Sequence, residues 1–114
     1  MSVKTFIREF QKSTEPNPLN NRESIWEETV CFELRPFSGN IRLSNIRALT
    51  PGNGDGTEAL RWLCALADKH GVTITGTVEP TWSAPLNKTA LKAWYCRHGF
   101  KVVYHDDIEY EPKT

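Results

Sequence analysis

The residues with the clearest chemical potential lie in Thr50-Pro51-Gly52-Asn53-Gly54-Asp55-Gly56-Thr57, between a strand-like run and a helix-like run. Glycines at alternating positions let successive backbone N–H groups turn towards one point without interference from a Cβ. A helix that starts directly afterwards adds unpaired amides and a partial positive charge. Such a loop suits a phosphate or pyrophosphate, and an ordinary tight turn is the plain alternative. Two standard phosphate loops are excluded. A Walker A loop needs a lysine followed by Ser or Thr after its last glycine, whereas Gly56 runs straight into Thr57. A dinucleotide fingerprint reads G-x-G-x-x-G; this one is G-x-G-x-G, and 114 residues leave no room for a second mononucleotide half.

Other reactive side chains are scattered. Cys31, Cys64 and Cys96 are odd in number and far apart, so they form neither a disulfide framework nor a metal knuckle. Cys64 and Cys96 fall in helical patterns and read as packed thiols. His70, His98 and His105 have no zinc spacing with the cysteines, and Asp106-Asp107 lacks the rest of a calcium loop, so no metal is expected. Lys+Arg and Asp+Glu are both 14 and formal net charge is zero, which makes nucleic acid an unlikely partner. No apolar run is long enough for a membrane span, and the start MSVKTFIREF lacks a secretory signal. The expected location is the cytoplasm.

The elements that must position the loop follow from periodicity. Val3, Phe6, Ile7 and Phe10 predict a helix over 3–12, and Ser13–Asn21 reads as a loop or linker. The expected division is therefore 1–21 as N-terminal helix and linker, and 22–114 as the core of a single domain. The stretch 25–37 alternates as a strand. In the next strand, 41–49, Ile41 and Leu43 have one parity while Ile46 and Ala48 have the other. One extra residue near Ser44-Asn45, a β-bulge, puts all four on one face; a strand buried on both faces is the plain alternative. Ala59, Leu60, Leu63, Leu66 and Ala67 form a helix stripe that stops at Gly71. Residues 72–78 alternate as a strand, and 79–85 form a proline-rich loop. Asn87 caps a further helix, with Leu86 and Leu91 as a hydrophobic staple and Gly99-Phe100 as a Schellman ending. Strands follow at 101–104 and 108–110. The economical fold is α/β in the mixed α+β sense: a mixed, mostly antiparallel sheet with flanking helices and a bulged central strand.

On these residues a family resemblance rests. The bulged strand, the window Pro51–Gly56 with Gly54 and Gly56 in the two glycine places, the helix, the next strand and the ending Trp94-Tyr95-Cys96-Arg97-His98-Gly99-Phe100 occur in the order found in GCN5-related N-acetyltransferases. The chain resembles a short member of that family over two blocks between Ile41 and Phe100. The resemblance implies acetyl-coenzyme A as cosubstrate and no metal. The pyrophosphate would lie on Gly52, Asn53, Gly54, Asp55, Gly56 and Thr57. The acetyl-pantetheine arm would lie between the bulged strand and its neighbour, against Ile46, Ala48 and Leu49, with the Ile46 and Ala48 amides polarising the thioester carbonyl. Lys92 and Arg97 would meet the nucleotide phosphates. Tyr95 would be general acid to the departing thiolate, with Glu33 or Glu79 as base for the amine.

This sequence departs from the family pattern at Pro51, where Arg or Gln is usual, and in the carboxylates of Asp55 and Glu58 beside the loop. Its acceptor-binding region before the loop is also short, so an open site, or one completed by a protein partner or a second copy, is expected. Trp26 and Trp82 are candidates to line that acceptor cleft. The implied activity is N-acetylation of a primary amine on a small molecule or protein by direct attack. The alternative is a catalytically weak or inactive coenzyme-binding or protein-interaction module.

Overall fold

The computed structural model describes residues 3–50, 52–79 and 87–113. Among them the chain forms three helices and a seven-stranded sheet. In chain order the elements are α1 (Val3–Lys12), β1 (Thr14–Asn17), β2 (Asn20–Trp26), β3 (Val30–Phe37), β4 (Asn40–Ala48), α2 (Asp55–His70), β5 (Ile74–Thr77), α3 (Lys88–Arg97), β6 (Lys101–Tyr104) and β7 (Asp107–Tyr110). The spatial strand order is β1-β2-β3-β4-β5-β7-β6. Only the β4–β5 pair is parallel, so the sheet is mixed and mostly antiparallel.

Two features differ from the sequence reading. Ser13–Asn21 is not a linker: it holds β1 and the first residues of β2, and α1 drives Phe6 and Phe10 into the core. The single strand expected over 25–37 is the junction of a hairpin. It turns at Glu27 and Glu28, both left-handed (φ 50° and 62°), closed by the Thr29 N–H donating to the Trp26 carbonyl at 3.0 Å. Non-glycine residues pay a conformational penalty there.

All three helices pack on one face of the sheet. Phe10 of α1 meets Phe32 of β3 and Trp62 of α2, with ring centroids 5.9 and 5.8 Å apart. Trp26 stacks on Trp62 at 5.6 Å, which makes it a core residue and not a cleft lining. Phe100, just beyond α3, packs on Tyr110 of β7 at 5.4 Å, and the Tyr110 hydroxyl donates to Asp68 of α2 at 2.8 Å. The extents of 34 × 34 × 21 Å fit a two-layer body. Strand alternation leaves Glu33, Arg35, Arg42, Thr75, Thr77 and Glu109 on the helix-free face, none of them buried.

Helix ends follow local chemistry. The Asn87 side chain accepts from the Ala90 amide at 2.8 Å. Leu86, the other half of the expected staple, lies outside the described residues. The α3 ending is a Schellman motif: Gly99 is left-handed (φ 95°), its N–H donates to the Cys96 carbonyl at 3.2 Å, and the Phe100 N–H donates to the Tyr95 carbonyl at 3.3 Å. Gly71 ends α2 in the same way, its neighbour Val72 bonding back to Ala67 at 3.1 Å. None of these helices is long and apolar enough to cross a membrane.

The bulge lies at Ser44. Glu33 pairs with Asn45 and Leu34 with Leu43, so Ser44 is surplus to the β3–β4 ladder. Ile41, Leu43, Ile46 and Ala48 thereby share the helix-covered face. Beyond the bulge, β4 is braced by a polar strap on the other face. Arg47 donates to both oxygens of Glu23 at 2.9 and 2.8 Å, and Asn17 donates to Glu23 at 2.9 Å. Glu23 is only 4% exposed. The Arg47 hydrogen bonds, opposed in part by burial and aided by Asn17, hold its carboxyl below the usual range near 4.5.

Glu23 stabilises the fold fully above its unfolded pKa, and that contribution disappears as pH falls through the lower folded pKa. Urea titrations at pH 7 and pH 3 should therefore show Glu23→Gln losing less stability on acidification than wild type; an equal loss would show the strap to be inert. At Gly76, a Cβ would stand 2.9 Å from the Leu43 carbonyl oxygen of the adjacent strand. Gly76→Ala should cost about 1–3 kcal/mol in denaturant titration, since backbone must shift to admit the methyl.

Candidate functional site

The parallel β4–β5 ladder is short. It pairs Ile41 with Ile74, Arg42 with Thr75 and Leu43 with Gly76, and ends where the bulge begins. From there β4 stays with β3, as far as Ala48 opposite Val30. Strand β5 stays with β7: Thr77 pairs with Asp107, and the Val78 N–H donates to the Asp106 carbonyl at 2.8 Å. The two strands part towards their carboxyl ends, where open α/β sheets seat ligands. The Leu49 N–H donates to the Thr29 carbonyl at 2.8 Å, on the β3 side. Strand alternation then turns the amides of Ala48 and Ile46 to the opposite edge, the one β5 has left. The Leu49 amide itself is spoken for, and its side chain is exposed.

The glycine loop follows the same end of β4. Gly52 (φ 95°) and Gly54 (φ 77°) are left-handed, a conformation that favours glycine. Gly54 caps α2 with no side-chain hydrogen bond, and its carbonyl accepts from the Glu58 amide at 3.2 Å. The amides of Asp55, Gly56 and Thr57 have no acceptor among the described residues. Asp55 is half-buried and Glu58 exposed, and neither joins an ion pair among the described residues. Asn53 is exposed beside them. Pro51 lies outside the described residues, as does Trp82.

Helix α3 is set against this loop by Trp94, whose indole Nε1 donates to the Thr57 hydroxyl oxygen at 3.0 Å. The next residue, Tyr95, is 7% exposed and packs on Trp94 and Phe100, with ring centroids 4.9 and 5.2 Å apart. Its hydroxyl has no hydrogen-bond partner among the described residues. Burial of the ring pushes the phenol well above the usual tyrosine range, so it stays protonated and is a donor.

The remaining expected site residues divide. Lys92 is committed elsewhere: it pairs with Asp106 at 2.8 Å and donates to the His105 carbonyl at 3.1 Å. Together with Lys88 at 2.9 Å, it holds Asp106 down to about 2. Arg97 is exposed and outside every ion pair among the described residues, and its charge, after burial and Arg61, helps lower the His98 pKa. Glu33 is half-buried opposite Asn45 beside the bulge, on the helix-free face. Glu79 is exposed just past β5. Cys64 is buried, and burial, then Asp68, pushes its thiol up to about 12; Cys96, expected to be packed, is exposed. No group of three or more His, Cys, Asp or Glu is placed to hold a metal among the described residues.

Sequence reasoning missed two contributors, the Trp94–Thr57 link and the Glu23–Arg47 strap. Each joins residues far apart in the chain, and only the indole, next to the singled-out tyrosine, left a local hint.

No family model matches the chain, and no curated protein matches it. Among solved structures it is similar to the crystal structure of anti-CRISPR protein AcrVA5, with a TM-score of 0.65 and 13% sequence identity, covering 76% of this chain and 95% of that one. At that identity the likeness is one of fold.

Proposed function

We propose that the chain is a minimal N-acetyltransferase of the GCN5-related kind, using acetyl-coenzyme A. The observation that carries the reading is the cluster of Asp55, Gly56 and Thr57 amides, without an acceptor among the described residues, at the mouth of the gap between β4 and β5. Pyrophosphate would sit on these amides, and the pantetheine arm would add to the free edge of β4 as a further strand would. The Ile46 and Ala48 amides would donate to the thioester oxygen, where negative charge develops. The amine nitrogen attacks the carbonyl carbon, the C–S bond breaks, and the sulfur leaves as thiolate. The ammonium proton passes to Glu33 or Glu79, directly or through water. Tyr95, with a pKa above that of a thiol, stabilises the thiolate chiefly as hydrogen-bond donor. Lys92 is left out of this assignment because Asp106 and His105 hold it.

The acceptor is a primary amine. The helix-free face of the sheet supports an acceptor presented by a protein, and the likeness in fold to an anti-CRISPR protein favours a macromolecular target in the same way. The second reading, a module that binds coenzyme or partner without turnover, is favoured by Asp55 and Glu58, whose charges oppose a pyrophosphate.

Calorimetric titration with acetyl-coenzyme A, desacetyl- and dephospho-coenzyme A tests for the coenzyme site, and turnover with an amine acceptor separates the two readings. Micromolar binding is expected, and its absence removes the transferase reading. With polylysine and free lysine as acceptor probes, Tyr95→Phe should slow thiol release about 10–100-fold with coenzyme affinity unchanged. Equal rates would take the donor role from Tyr95. Gly54→Val should weaken coenzyme binding, because a β-branched residue resists the left-handed conformation.

A further inference from the structure

We propose that Trp94 is a positioning residue that fixes the helix bearing Tyr95 to the amide cluster at the head of α2. The inference rests on the acetyl-coenzyme A reading and adds a residue that reading does not use. Between α2 and α3 the chain runs through β5 and a long connection, so covalent geometry does not set the distance between the first turn of α2 and Tyr95. The indole does. Its Nε1–H donates to Thr57 Oγ1 at 3.0 Å. Its Cζ2 lies 3.9 Å from where a Cβ on Gly56 would stand, so the ring lies beside the middle of the three unbonded amides. Its ring then packs edge-to-face with the Tyr95 ring, centroids 4.9 Å apart and planes at 62°. Amide cluster, Thr57, Trp94 and Tyr95 form one contiguous series.

The link also sets the polarity of a hydroxyl. An indole N–H only donates, so the Thr57 oxygen must accept from it. The hydroxyl proton finds no acceptor among the described residues and is left to donate. Thr57 thus becomes one more donor at a helix start whose amides are suited to an anion.

Calorimetry with acetyl-coenzyme A on wild type, Trp94→Phe, Thr57→Val and the double variant tests this. Phenylalanine keeps a ring and loses the N–H; valine keeps the shape and loses the hydroxyl. Each single change should weaken coenzyme binding about three- to tenfold, the worth of one hydrogen bond. The double variant should be no worse than the weaker single, since both remove the same bond. Thr57→Ser should restore affinity. A merely structural indole would lower the melting temperature and leave the dissociation constant, measured well below melting, unchanged. That outcome, or additive losses in the double variant, overturns the proposal; should Trp94→Phe fail to fold, the Thr57→Val and Thr57→Ser pair decides it. Wild type that binds no coenzyme removes the parent reading and this one together, whereas wild-type binding with unaffected variants removes only the role of Trp94.

Discussion

One surplus residue governs the architecture. Ser44 has no partner in β3, and the bulge it makes coincides with the end of the β4–β5 ladder. A bulge bends its strand and increases the local twist. Strand β4 therefore follows β3 away from β5, and the sheet opens in its interior and not at an edge. Every other component of the candidate site depends on that opening. The glycine loop lies at its carboxyl end because β4 runs there, α2 begins there because the loop turns back, and α3 is brought alongside by Trp94. Gly76 marks the last closed rung, where the absent Cβ lets β5 approach the Leu43 carbonyl.

The layering is equally consequential. Aromatic side chains gather on the helix side, where Phe6, Phe10, Phe32, Trp26 and Trp62 join one end of the core and Tyr95, Phe100 and Tyr110 the other. The opposite face is polar and shields its most awkward group by pairing: Glu23 is buried only because Arg47 and Asn17 satisfy it. That strap anchors the portion of β4 that lost its β5 neighbour.

Much of this was legible in the residues. The change of parity between Leu43 and Ile46 located the bulge within a residue, because a period of two tolerates no other way to keep four apolar side chains together. Asn87, Gly71 and Gly99 marked helix ends through local chemistry. The β1–β2 hairpin was not legible: Thr14–Asn17 and the start of β2 are rich in Asn, Pro and charge, and an edge strand needs little apolar patterning. The Glu27-Glu28 turn was hidden for the opposite reason, since it adopts a backbone normally advertised by Asn or Gly. Lys92 looked available by position on its helix, and only the fold brings Asp106 to it.

Among the described residues, three residue pairs between β4 and β5 form the backbone ladder that joins the two sides of the sheet. Packing in the shared core and the Arg42–Thr77 side-chain hydrogen bond at 3.1 Å also join β1–β4 to β5–β7. Anything bound along the gap between β4 and β5 acts as a cross-brace, so occupancy would register first in the amide exchange of Ser44–Ala48 and Thr77–Val78, before the rest of the fold responds.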